Sequence, residues 1–235
     1  TVADIRAVGP GVWNGWKGQL LRDLYYATEA ALRGGRTDEA SVRNQLADRA
    51  ETARALLADR IGPTPQLVAI EAAYWTSFTP ETQARHAAAL ARNGGQPIIV
   101  GSNVDAGRST TEIIVSAPDR LGLFADLCGA LSAAGANIVA AHLYEAGDDR
   151  VFDVFEVQDS RGQPLGSDHP HALERIVADL RAAAAGGEGV KKPGKAPAAS
   201  RRLAAFIISP TVLIDRTASA DSTVIEVSGR DRPGL

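Results

Sequence analysis

Thr111-Glu-Ile-Ile-Val-Ser-Ala-Pro-Asp119-Arg-Leu-Gly122-Leu123 recurs 112 residues later as Thr223-Val-Ile-Glu-Val-Ser-Gly-Arg-Asp231-Arg-Pro-Gly234-Leu235. Thr, Ile, Val, Ser, Asp, Arg, Gly and Leu coincide, 8 of 13 in order and without gaps, which marks an internal repeat. Each copy has a β-branched run suited to a strand, then Asp-Arg-x-Gly. Asp and Gly tolerate the dihedrals of a tight strand-to-helix passage. Such a passage leaves N–H groups at the helix start unpaired, and these can receive a carboxylate.

Working outward from the first copy, residues 111–117 read as a strand and Leu121 to Ala134 as a helix. Leu123, Phe124, Leu127, Leu131 and Ala134 share one face of that helix, and Gly135 closes it in the left-handed C-cap role. Asn137 to Tyr144 is a second strand, Gly147-Asp-Asp149 a hairpin turn, and Val151 to Val157 a third, half-buried strand by its alternation. His171 to Ala185 gives a helix with Leu173, Ile176, Val177 and Leu180 as its apolar stripe. Ala205 to Ile214 is expected to supply the fourth strand. The resulting order, βαββαβ, is the ferredoxin-like unit.

That order, with Asp-Arg-x-Gly-Leu at the first turn and Ala-Asn-Ile opening the second strand, resembles an ACT domain. ACT domains are small-molecule regulatory modules, usually for amino acids, that work in pairs. The second copy then reads as the start of a partner ACT domain. The resemblance implies an effector where the first strand meets the first helix. Its carboxylate would meet the N–H groups of Gly122 and Leu123, its ammonium would meet Asp119, and Asn137 would offer a donor and an acceptor. Arg120 belongs to the same motif, and Asp231, Arg232, Gly234 and Leu235 are the second copy's equivalents. On the residues alone, Asp-Arg-x-Gly is equally readable as turn chemistry, with Asp119 capping the helix.

The first 93 residues are of another kind, nearly all helical. Val12 to Leu32 carries Trp13, Trp16, Leu20, Leu24 and Tyr25 near one face. Thr37 is placed to cap a helix running to Ile61. Thr64-Pro65 and Thr79-Pro80 are N-cap plus N1-proline signals for helices reaching about Phe78 and Ala91. Residues 94–110 read as a linker, with Pro97 to Val100 briefly extended. Between 186 and 203 a Gly/Pro/Ala-rich, basic insertion interrupts the ACT unit and is expected to be disordered. The expected class is therefore α+β: a helical segment (1–93), a ferredoxin-like ACT domain (111–218), and the first strand of a second one (219–235). An isolated strand at 222–228 would expose an edge. It is expected to pair with the first sheet or with its counterpart in a second molecule.

Thr1-Val-Ala-Asp4-Ile together with Trp13-Asn-Gly-Trp16-Lys17, Tyr74-Trp75-Thr-Ser-Phe78, Thr79 to His86, and Ile214 to Ser219 are similar to the end of the HD domain and the ACT region of bifunctional uridylyltransferase/uridylyl-removing enzymes. Those enzymes act on the PII nitrogen-signalling protein. The resemblance implies PII, UTP and UMP as partners of the parent enzyme and glutamine as effector. It also implies dimer contacts through ACT domains and a divalent metal, Mg or Mn, in the HD domain. Asp4 matches the final metal ligand of that domain, where the metal would activate water against a uridylyl-tyrosine phosphodiester. The chain by itself, lacking the other ligands, is expected to be inactive and to be a piece of a longer protein. Two alternatives remain: a non-catalytic amino-acid-binding ACT regulator, and, less well matched, an HD-plus-ACT guanosine-tetraphosphate hydrolase.

Composition narrows the classes further. A net charge of −3 gives no general attraction to nucleic acid or anionic membrane. No apolar run reaches the roughly 20 residues of a membrane span. The single cysteine, Cys128, is expected on the core side of the first ACT helix, and the absence of disulfides fits a cytoplasmic home. His169-Pro-His171 lacks partners at metal-ligand spacing. His142 is expected to be packed within its strand, and His86 has no evident catalytic partner.

Overall fold

In the computed structural model of the protein the described residues are 15–33, 47–48, 50–52, 54–59, 67, 69–92, 95–186, 209–217 and 223–229. Asp4, Thr37, Thr64, the insertion from 187 to 203, and Asp231, Arg232, Gly234 and Leu235 lie outside them. The helices are α1 (Gly15–Arg33), α2 (Ala72–Ser77), α3 (Pro80–Arg92), α4 (Leu123–Ala133) and α5 (Pro170–Ala184). The strands are β1 (Ile99–Asp105), β2 (Thr110–Pro118), β3 (Asn137–Ala146), β4 (Arg150–Gln158), β5 (Thr211–Asp215) and β6 (Val224–Ser228).

Strands β1 to β4 form one antiparallel sheet in the order β1-β2-β4-β3. This is the α+β ferredoxin-like arrangement expected, with one exchange. Residues 205–214 are expected to supply the fourth strand, but the fourth strand of this sheet is β1, beside β2, from the segment read as a linker. Gly101, Ser102 and Asn103 are poor strand formers, so the linker reading followed propensity. Tertiary packing overrides it, because Ile99 and Val100 are buried on opposite faces of the sheet. The β1–β2 turn is fixed by the Arg108 N–H donating to Asp105 Oδ1 at 2.9 Å.

β5 pairs with β6 in a separate two-stranded sheet, so the second-copy strand does not join the first sheet. Its register repeats that of β1–β2. Ile99 faces Ser116 and Thr211 faces Ser228, and Asn103 faces Glu112 as Asp215 faces Val224. All four partners are displaced by the same 112 residues. The repeat unit therefore begins one strand earlier than the motif, at Ile99 and Thr211.

Helices α4 and α5 cover one face of the main sheet, over a core of Ile113, Val115, Leu127, Leu131, Phe155 and Leu180. The other face is also covered. Tyr74, Trp75 and Leu90 from the helical segment pack there with Ile114, Tyr144, Phe152 and Val154. Three layers result, and β4, expected to be half-buried, is buried on both faces over residues 152–158. The expected single helix to Phe78 is interrupted at Ile70. The Glu71 N–H donates to Glu145 O at 3.1 Å, and the Gly147 N–H donates to Ala69 O at 3.0 Å. These bonds tie the segment to the end of β3, and α2 starts after them.

Other expectations hold. Thr79 precedes α3 with Oγ1 accepting the Thr82 N–H at 3.4 Å, and Pro170 opens α5. Gly135, at φ +78°, lets the Ala136 N–H reach Leu131 O and end α4. Cys128 is half-buried, and burial followed by the charge of Asp153 raises its thiol pKa. On α1, however, Leu20, Leu24 and Tyr25 are exposed among the described residues. No helix among the described residues is long and apolar enough to cross a membrane.

Candidate functional site

The β2–α4 turn runs from Asp119 to Leu123. The Asp119 N–H donates to Asp149 O at 2.8 Å, which anchors the turn against the β3–β4 hairpin, and the Asp119 side chain is exposed. Gly122 is the residue before α4 and sits at φ +82°, a conformation that favours glycine. No side chain caps α4, so Asp119 does not serve as its cap. The Leu123 N–H is engaged by Arg120 O at 3.2 Å, and the Leu123 side chain is buried in the first core. The Gly122 N–H makes no backbone hydrogen bond among the described residues.

Arg120 is turned away from an open site. Its guanidinium donates to Ala183 O at 2.7 Å and Ala184 O at 3.4 Å, and pairs with Asp126 at 2.7 Å. It thus caps the carbonyl end of α5 and joins it to the first turn of α4. Asn137 does not join the turn within one chain. It pairs with Gln158, whereas Pro118 pairs with Arg150, so the two ends are separated by the length of β4. At about 3.3 Å per residue that is roughly 25 Å. The reason is the antiparallel return of α4, which carries the chain back before β3 begins.

Sequence reasoning missed Asp153, read only as the polar phase of an alternating strand. It is 2% exposed, and its Oδ1 has no hydrogen-bond partner. Burial, reinforced by the charge of Asp119, pushes its carboxyl up to about 7. Asp119 is exposed and Asp153 buried, and the charge of Asp119 adds to the burial that disfavours ionisation of Asp153.

His86, expected to have no evident catalytic partner, has two close side-chain neighbours. The Tyr74 hydroxyl lies 2.9 Å from Nδ1, and Glu112 Oε1 lies 3.3 Å from Nε2. Burial, then the charge of Glu112, holds the Tyr74 phenol protonated far above its usual range. Burial raises the Glu112 carboxyl too, but His86 and Arg85 outweigh that and hold it below the usual carboxylate range. No sequence signal joined these three, because Tyr74 and His86 come from α2 and α3 while Glu112 is on β2. His142 lies with its ring 5.4 Å from that of Phe78, and His171 is exposed beside Glu174 at 3.2 Å. Among the described residues no group of three His, Cys, Asp or Glu could hold a metal ion.

A ferredoxin-like unit with this glycine-broken βα turn sets the class: residues 111–166 match the model of the ACT domain family. Along its whole length the chain is homologous to proteins named bifunctional uridylyltransferase/uridylyl-removing enzyme. It is 46% identical over 239 residues to the one from Phenylobacterium zucineum, covering 100% of this chain and 25% of that protein. The protein of the same name from Caulobacter vibrioides is 46% identical over 242 residues, again across 100% of this chain and 25% of the relative. That from Azospirillum brasilense is 39% identical over 251 residues, across 100% and 26%. The chain thus spans about a quarter of the length of these curated relatives. No solved structure matches.

Proposed function

We propose that this chain is the regulatory portion of an enzyme that adds uridylyl groups to the PII nitrogen-signalling protein and removes them, with glutamine as its effector. The observation that carries the reading is identity at 46% across the entire chain to relatives of that name, coupled with an ACT domain in the middle. The effector site is the β2–α4 turn. The Gly122 N–H is placed for a carboxylate, and Asp119 with the buried Asp153 for an ammonium. Arg120 and Leu123 shape the turn rather than touch the ligand, and Asn137 of the same chain has no part in it. Asp231, Arg232, Gly234 and Leu235 repeat the turn in the second copy.

PII, UTP and UMP are substrates and products of the whole enzyme, and ACT domains supply its dimer contacts. A divalent metal, Mg2+ or Mn2+, belongs to its hydrolase domain with Asp4 as one ligand. The described residues provide no set to hold that ion, and no catalytic step is assigned to this chain alone. A cytoplasmic location follows from such partners. The test is calorimetric titration of glutamine, with glutamate as control, into the chain. Selective glutamine binding weakened by Asp119→Ala supports the reading. Absence of heat from a folded sample removes glutamine as the effector of this chain and leaves the turn structural.

A further inference from the structure

Between α3 and the β1–β2 edge of the sheet lies a cavity of about 240 Å³, distinct from the β2–α4 turn. Gly101 permits it, since a Cβ there would approach Ile114 Cγ1 to 3.0 Å and Ala89 Cβ to 3.5 Å. Arg85, His86 and Arg92 enter the cavity from the helix. Asn103, Glu112 and Ile114 enter from the sheet. Asn103 and Glu112 are direct cross-strand partners on one face.

The charges in this cavity do not balance. Glu112 lies 3.5 Å from Arg85 and 3.3 Å from the buried His86, so its negative charge is already matched. Arg92, at the end of α3, makes no hydrogen bond or ion pair among the described residues. One positive charge is left over at the mouth. Deeper in, His86 is 1% exposed, with Nε2 3.3 Å from Glu112 Oε1.

The geometry points to a binding site for a small monocarboxylate bearing a hydroxyl group. Its carboxylate pairs with Arg92 and cancels the surplus charge. Its hydroxyl oxygen accepts from the Asn103 side-chain amide, and its hydroxyl proton goes to Glu112, both of which line the cavity and are only partly buried. A neutral donor fits better than an ammonium, because Arg85 already sits on Glu112 and would repel a second cation. The volume lies below the roughly 300–1,000 Å³ of pockets for drug-sized ligands, so the ligand is compact. Because it would touch both α3 and the β1–β2 pair, its binding tightens the helical layer against the ACT sheet. Occupancy therefore raises the melting temperature by ordinary linkage.

Calorimetry and thermal melts of the chain with lactate and 3-hydroxybutyrate, against propionate and alanine, test this. A hydroxy acid should bind most tightly, and Arg92→Gln should weaken it by about tenfold or more, the scale of one lost charge-assisted contact. Arg92 is exposed, so that variant folds, and circular dichroism checks it. Arg175→Gln, an exposed arginine on α5, and Asp119→Ala should leave hydroxy-acid binding unchanged. Glutamine binding at the turn should survive Arg92→Gln, which separates a failure of this site from a failure of the proposed effector site. Binding of no hydroxy acid, binding indifferent to Arg92→Gln, or alanine binding more tightly than lactate would each overturn the assignment.

Discussion

The pair β1–β2 and the pair β5–β6 are the same object in two environments. Their registers coincide under one displacement of 112 residues, and their inward phases are both apolar: Val100 and Ile113 in the first, Val212 and Ile225 in the second. In the first pair, Ile113 is wholly buried beneath α4 and α5. In the second, Ile225 is 60% exposed. Strand pairing is thus present in both and core burial in only one among the described residues. Backbone register is set locally by turn and alternation, while stability comes from what is laid over the sheet.

The largest effect that sharpens this contrast is expected at Ile113. Ile113→Ala should cost about 2–5 kcal/mol, as truncation of a fully buried aliphatic side chain does. Urea denaturation followed by circular dichroism checks it. A cost well under that range would mean that the first pair is no better covered than the second.

Burial also has an unfavourable side, which Asp153 exposes. Its carboxyl stands at about 7 against an ordinary 3.8, because burial and then Asp119 disfavour the charge. For a group raised on folding, its contribution to stability is whole below pH 3.8 and is lost as the pH climbs through about 7. Asp153→Asn keeps the shape and removes the ionisation. At pH 8 and above it should stabilise the chain by up to about 4 kcal/mol, the ceiling set by a shift of that size, and below pH 4 it should change little. Melting temperatures across that window decide it. The same variant should lose glutamine affinity, which would set a more stable protein against a less responsive one.

Much of this arrangement was legible in the sequence, and the exceptions share a physical origin. The β2–α4 turn, the C-cap at Gly135 and the proline-led starts of α3 and α5 are local chemistry, carried by residues within a few positions of one another. Three features depend on contacts between distant segments. β1 is a strand because it pairs with β2 and is covered by α5 on one face and α3 on the other, although Gly101-Ser-Asn is a weak strand sequence. β4 is buried on both faces because the helical layer closes the face that alternation assigned to water. Asn137 was grouped with the turn by motif, but the 11 residues of α4 return the chain to the opposite end of the sheet. The Tyr74–His86–Glu112 cluster, drawn from three elements, left no trace in any single stretch.

That cluster gives a smaller effect on the same covered side. Tyr74→Phe leaves the aromatic packing against Trp75, Tyr144 and Phe152 in place and removes only the hydroxyl facing His86 Nδ1. The loss should be about 1–2 kcal/mol, since a buried ring nitrogen is left unsatisfied. Pairing it with Glu112→Gln in a double-mutant cycle tests whether the helical layer and the sheet are joined through the imidazole. Additive costs would show that the two halves of the cluster act independently.

The smallest effect falls on the uncovered pair. Ile225→Ala in β6 should change the stability of this chain by no more than about 0.5 kcal/mol, because a side chain that is already exposed loses little contact on truncation. Ile225 and Ile113 occupy equivalent places in the repeat, so the comparison holds sequence position and register constant and varies only the cover. If Ile225→Ala instead cost as much as Ile113→Ala, β5–β6 would have to be covered in solution by another body, a second copy of the chain being the first to examine. Repeating the measurement over a range of protein concentrations would separate the cases. A cost that grows with concentration assigns the cover to self-association, and one that does not assigns it to the chain itself.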